Sequence, residues 1–266
     1  MTTVPLPSEH FRETAARYCD LVVDCIQTSH KYAGIRSPTG SHFYASALFT
    51  VICSRAVAVL KLVPETTKED ALEAPWDYGA IAVLARALLE ARLSFYYLGI
   101  EAISEDEWYC RWNLMCLHDC CARERLFEVI PSPDADSQVA GFQAQADELR
   151  QRLNSNAHFI SLAPGPRKKL LNGGDAYLYS LEEIGSRVGI EVEQFRMFYR
   201  MLSSQVHSLP LSFFRMDEGN RGRGVHSEFE ESFILLTNSV YLARWDADED
   251  KQRQTRKINL VGLNRC

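Results

Sequence analysis

The sequence has no glycine-rich loop ending in Lys-Ser or Lys-Thr, no Gly-x-Ser-x-Gly turn and no Glu-x2-His pair. These gaps remove a P-loop phosphate cradle, a hydrolase nucleophile elbow and a ferritin-like di-iron bundle from the motif-based readings. Alternating β-branched runs between hairpin turns are also missing, which leaves a sheet-based fold without support. The first eight residues lack a charged segment leading into a continuous apolar run, so no secretory signal is expected. The most apolar window, residues 45 to 63, is broken by Arg55 and Lys61 and is expected as a core helix, not a membrane span. A basic surface is lacking as well: the net charge of -6 argues against a protein that coats long nucleic acid, while leaving room for a local basic pocket.

What is present is ordinary globular composition, with 46% apolar and 24% charged residues in 266. That length suits a single core near its upper size limit. The expectation is an all-α, single-domain helical bundle of seven to eight helices over residues 1 to 245, followed by a charged, loosely held tail at 246 to 266. The eight cysteines sit mostly inside apolar helical patterns, where a reduced thiol behaves as a small hydrophobe. Together with the missing signal, this points to a soluble cytoplasmic protein with no membrane. Cys110, Cys116, Cys120, Cys121 and His118 are zinc-ligand types, but they lack the paired turn spacing of structural zinc sites. They are expected to pack in a core, and no metal or cofactor is expected.

Helical periodicity recurs along the chain. Ser8 starts a helix reaching about residue 30, a turn covers 34 to 40, and a second helix runs from 41 to 63. A third, from 75 to 100, is apolar on nearly every side and belongs in the middle of the bundle. Ser104 opens a fourth with a capping-box pattern, and a more polar surface helix spans 134 to 154. Residues 154 to 175, with Pro164-Gly165-Pro166-Arg167-Lys168-Lys169, form the longest irregular stretch and are expected as a mobile loop. A short helix capped by Ser180 and Glu183, a strong one from 191 to 207, a flexible Gly/Arg stretch at 215 to 224 and a last core helix from 227 to 245 complete the reading.

Two places break the apolar pattern with groups that carry chemistry. Arg86 and Glu90 stand four apart on one face of the most apolar helix, either paired in the interior or turned toward a polar cavity. Arg200 and His207, seven apart, share a face of the late helix, with Tyr199, Ser203 and Ser204 on or beside it. A helix carboxyl end favours imidazolium while a nearby cation opposes it, and a histidine so balanced can act as general acid or base. Arg111 and His118 have the same seven-residue spacing within a predicted helix and remain a rival pair.

The run Tyr199-Arg200-Met201-Leu202-Ser203-Ser204-Gln205-Val206-His207, with the Arg86-x3-Glu90 helix before it, resembles an uncharacterised family of bacterial helical proteins. The match covers roughly residues 75 to 215. An arginine followed some residues later by a histidine at a helix end is also similar to the HEPN superfamily of RNA-cleaving toxins and antiviral effectors. That resemblance implies a homodimer in which His207 assists attack by a ribose 2′-hydroxyl and Arg200 steadies the phosphate, without metal. It departs from the usual pattern at Met201, where a polar residue is expected. On this reading Arg86, Glu90, Tyr199, Ser203, Arg167, Lys168 and Lys169 would bind substrate RNA, and a protein partner from a defence or toxin-antitoxin system is implied. The alternative is a non-catalytic helical module that binds a nucleotide or small molecule, or regulates a partner protein.

Overall fold

A computed structural model describes residues 7–64, 76–130, 133–213, 228 and 230–235. Its elements run α1 (Glu9–Tyr32), α2 (Gly40–Leu62), α3 (Tyr78–Phe95), a π-turn (Tyr96–Ile100), α4 (Glu105–Phe127), α5 (Ala135–Asn154), α6 (Ala157–Ser161), α7 (Pro164–Leu170), α8 (Leu181–Arg187), α9 (Val192–Val206) and α10 (Pro210–Phe213). Among the described residues no β-strand occurs, and the all-helical reading holds. The expected flexible stretch at 215 to 224, the tail at 246 to 266 and most of the last core helix lie outside the described residues, as does the charged stretch 65 to 73, which reads as a loop in the sequence.

The chain divides into two compact units, one of residues 1–36, 46–92 and 193–266, the other of 37–45 and 93–192. In the first, the Ser8 hydroxyl accepts from the Phe11 amide at 3.1 Å and starts α1. One face of that helix then buries Phe11, Thr14, Tyr18, Val22 and Cys25, spaced by three or four as a single helical stripe requires. Full burial of side chains such as Phe11 and Val22 contributes about 1.5–3 kcal/mol each. Phe11 packs against Trp76 at 5.3 Å, and the buried Tyr18 hydroxyl donates to the Ala56 carbonyl at 3.1 Å. Helix α3 is central, as its apolar circumference requires: Ile81, Ala82, Ala85, Leu88 and Leu89 are all buried.

Helix α2 differs from the expected core helix. It buries only Ile52, Cys53, Ala56 and Val59, and just 22% of its most apolar 18-residue window is inside. By length and composition it is the one helix among the described residues that could cross a membrane. Its apolarity is spread around the helix, so a single buried face leaves Val51 and Leu62 exposed.

The second unit is built on α4 and α5, whose Leu114, Leu117, Ala146, Leu149 and Leu153 form one core with Phe159 and Leu170. Residues 154 to 175 are not the expected loop, because two short helices occupy them. Asn156 caps α6 by accepting from the Phe159 amide at 2.9 Å, and Pro164 supplies the fixed φ that suits a helix start at α7. Phe159 and Leu170 anchor the segment in the core, an attachment that its polar sequence hides. Gly173 follows α7 with φ +69°, and a Cβ there would clash with the Cys121 side chain, so only glycine lets this turn close on α4.

Candidate functional site

In the first unit, three of the sequence-predicted residues meet. On α3, Arg86 Nε donates to Glu90 Oε1 at 3.1 Å, the one-turn pairing that their spacing allows. The Tyr199 hydroxyl on α9 closes the triangle: it accepts from Arg86 Nη2 at 2.9 Å and donates to the same Glu90 oxygen at 2.9 Å. The Arg86 guanidinium also lies 4.6 Å from the centre of the Tyr199 ring, within cation–π range. Phe195, one turn earlier, stacks on that ring at 5.4 Å.

The cluster is half-buried, with side-chain exposures of 17% for Arg86 and 38% for Glu90. Burial pulls the guanidinium down, but hydrogen bonds and charge from Glu90 and Tyr199 outweigh it, so its net shift is upward and it stays charged. Burial pushes the Tyr199 phenol up, with Glu90 adding to the effect, so it remains protonated and a donor. One group is unspent: Arg86 Nη1 is buried without a hydrogen-bond partner among the described residues. An unmet donor of this kind costs free energy, on the order of 1–3 kcal/mol or more for a charged group.

Tyr199 is followed along the same flank of α9 by Ser203 and His207, each four residues on, with Arg200 beside them. Ser203 is half-buried, whereas Arg200 and His207 are exposed. Neither of the latter two side chains makes a hydrogen bond or ion pair among the described residues. His207 caps the carboxyl end of α9, where the Leu209 amide reaches back to the Ser204 carbonyl at 3.0 Å and the Ser208 amide to Gln205 at 3.3 Å. That pattern places Ser208 in the left-handed region, at φ +46°. Helix α8 ends the same way with a glycine, Gly189 at φ +90°.

The remaining predicted residues belong to the second unit. Arg167, Lys168 and Lys169 sit on α7, and Lys169 pairs with Asp175 at 2.8 Å. Arg111 and His118 do not form a pair. His118 Nδ1 lies 3.1 Å from the Gly173 carbonyl. Arg111, 0% exposed, donates through Nη1 to Glu101 at 2.7 Å and to the Tyr97 carbonyl at 2.6 Å, and through Nε to Glu107 at 3.0 Å. Tyr179 donates to Glu107 at 3.1 Å, and Arg187 holds the other Glu101 oxygen at 2.8 Å. Burial pushes the Glu107 carboxyl up, but the hydrogen bonds and charge of Arg111 outweigh it and set it below its ordinary value. Ser104 therefore caps α4 alone: its oxygen accepts from the Glu107 amide, but the Glu107 carboxylate, needed for a full capping box, goes to Arg111.

Sequence reasoning missed this network, although Glu107-x3-Arg111 was a visible signal of the same kind as Arg86-x3-Glu90. It also missed an open groove of about 470 Å³ along α4 and α5, with Trp112, Met115, Cys116, Cys120 and Arg152 on its walls. The cysteines of the expected cluster go to separate places. Cys110 is in the core with its thiol pushed up to about 12 by burial, Cys121 lies under Gly173, and Cys116 and Cys120 face the groove. Among the described residues, no three His, Cys, Asp or Glu side chains converge as a metal site would need. Set against protein families, curated proteins and solved structures, the chain matches none of them.

Proposed function

We propose that the chain is a metal-independent endoribonuclease of HEPN type, acting as a homodimer in a toxin or antiviral-defence setting. The supporting observation is that an exposed guanidinium, Arg200, and an exposed imidazole, His207, share one flank of α9 without any partner among the described residues. Both are available to a substrate, and guanidinium geometry suits a bridging phosphate. On this reading His207 takes the proton from a ribose 2′-hydroxyl, whose oxygen attacks the adjacent phosphorus. The bond to the 5′ oxygen breaks, leaving a 2′,3′-cyclic phosphate, and the departing oxygen takes up a proton. Arg200 offsets charge on the phosphate oxygens in the transition state. Met197 (54% exposed) and Leu209 (48%) add apolar surface on and just beyond α9 that a second copy would cover.

The test is cleavage of total RNA by the purified chain in the presence of a chelator. His207→Ala and Arg200→Ala should each abolish it, and His207→Ala should also relieve growth arrest on overexpression. Undiminished cleavage in both variants would overturn the assignment.

The alternative, a non-catalytic module that binds a nucleotide or another anionic small molecule, draws support from the unspent Arg86 Nη1. A buried guanidinium nitrogen with no acceptor is what an incoming phosphate or carboxylate would satisfy. Under that reading, anionic nucleotides raise the melting temperature of the wild type but not of Arg86→Met, and no RNA is cleaved.

A further inference from the structure

The groove along α4 and α5 has a wall of sulfur. Met115, Cys116 and Cys120 are all on α4 and all line it, and Cys116 and Cys120, four apart, share a helix face. Both thiols are free. That of Cys116 makes no hydrogen bond among the described residues, and that of Cys120 has only a long contact of 3.8 Å to Gln145 Oε1. We propose that these two thiols and the Met115 thioether form a binding site for a soft monovalent cation of the copper(I) kind. The site lies in the second unit and uses no residue of α9, so it stands or falls independently of the ribonuclease reading.

Spacing favours a bridging ion over a disulfide. On one helix, Cβ atoms four residues apart stand roughly 5–6 Å from each other, whereas a disulfide needs them about 3.5–4.5 Å apart. A direct bond would therefore distort α4. With metal–thiolate bonds near the zinc–thiolate length of about 2.3 Å, the sulfurs stand about 4 Å apart around a three-ligand ion, roughly twice the length of a direct S–S bond, which an intact helix accommodates. The donor set selects the ion. Thiolate and thioether are soft ligands that suit copper(I), while structural zinc requires four tetrahedral ligands, and among the described residues no three His, Cys, Asp or Glu groups converge.

Binding forms two metal–thiolate bonds and one bond to the neutral thioether, breaks two S–H bonds and releases two protons to water, with no change of oxidation state. The product, one monovalent cation and two thiolates, carries a single negative charge. Across the groove Arg152 bears on Cys116 and offsets that charge, although it is shared with Glu148. Affinity should rise with pH, because each thiol must lose its proton to bind the ion. The groove's open side gives the ion a route in, and Trp112, one turn before Cys116, supplies a reporter.

The experiment is an anaerobic titration of the full chain with copper(I), supplied as its acetonitrile complex against a chromophoric copper(I) chelator. It is read by thiolate-to-copper absorption and by quenching of tryptophan fluorescence. One tight equivalent per chain is expected, lost in Cys116→Ser/Cys120→Ser. In Met115→Leu, which keeps volume and fold, affinity should fall by at least the ~10–100-fold that losing an outer-shell partner costs. X-ray absorption should find only sulfur neighbours at the metal. Failure of the wild type to bind, or full binding by a folded double variant, overturns the site. If the double variant does not fold, Met115→Leu decides, and unchanged affinity there together with nitrogen or oxygen neighbours overturns it. Zinc(II) bound as tightly as copper(I) overturns the assignment to a soft cation.

Discussion

Two arginines on long helices each face a glutamate one turn away and the ring of a tyrosine from elsewhere in the chain, yet they end in opposite states. Arg111 is 0% exposed, holds two carboxylates and a backbone carbonyl, and leaves no nitrogen without a partner. Arg86 is 17% exposed on its side chain, has one carboxylate and one phenol, and keeps Nη1 buried and unmatched among the described residues. A closed network of the first kind maintains a fold, since every group in it is already spent. An incomplete one retains binding capacity, and this makes the Arg86, Glu90 and Tyr199 triangle the better candidate for contact with something else.

The largest effect expected is at Arg111. Arg111→Met removes the cation shared by Glu101 and Glu107, leaving Arg187 on Glu101 alone, and breaking a buried pair in this way costs about 3–5 kcal/mol. Urea unfolding should show it as a lower midpoint, and a loss below about 1 kcal/mol would contradict the closed-network reading. The pH dependence sharpens the same point. Glu107 is set below its ordinary value when folded, so its contribution is complete above the unfolded carboxyl's range, near pH 4.3, and is lost as pH falls through the lower folded value. Stability should decline with acid in the wild type, and that decline should flatten in Arg111→Met.

In the triangle a smaller change is expected. Tyr199→Phe removes a hydroxyl that both accepts from Arg86 and donates to Glu90, in a partly exposed cluster, and should cost about 1 kcal/mol. A cost equal to that at Arg111 would erase the distinction between the two sites. Smallest of all should be Ser208→Gly, at the end of the helix that carries Tyr199. Relief of a left-handed serine is worth up to about 1 kcal/mol, offset by added freedom in the unfolded chain, so the melting temperature should rise slightly.

The longer helices and their order were legible because apolar spacing and caps are local signals: Ser8, Ser104 and Ser180 each begin a helix where the pattern changes, whereas the short helices α6, α7 and α10 were not foreseen. Arg86 and Glu90 were legible for a related reason, as charges in an apolar helix demand a partner. What covers each apolar surface was not legible. Helix α2 is more apolar than its burial warrants, and α6 and α7 are more polar than their anchoring through Phe159 and Leu170 suggests. The Arg111 network escaped notice because its acids come from two places, Glu101 after the π-turn and Glu107 in the first turn of α4.

The π-turn at Tyr96–Ile100 is closed by the Glu101 amide reaching the Tyr96 carbonyl at 2.9 Å, one residue further back than in an α-helix. Two carbonyls in it then serve other chain segments: that of Tyr97 takes the Arg111 guanidinium, and that of Leu98 takes both the Trp108 indole at 2.9 Å and the Ser41 hydroxyl at 3.0 Å. These anchors are main-chain oxygens, so they depend first on how many residues the turn holds: removing one would turn the following residues by about 100° about the helix axis and pull both attachment points out of register at once.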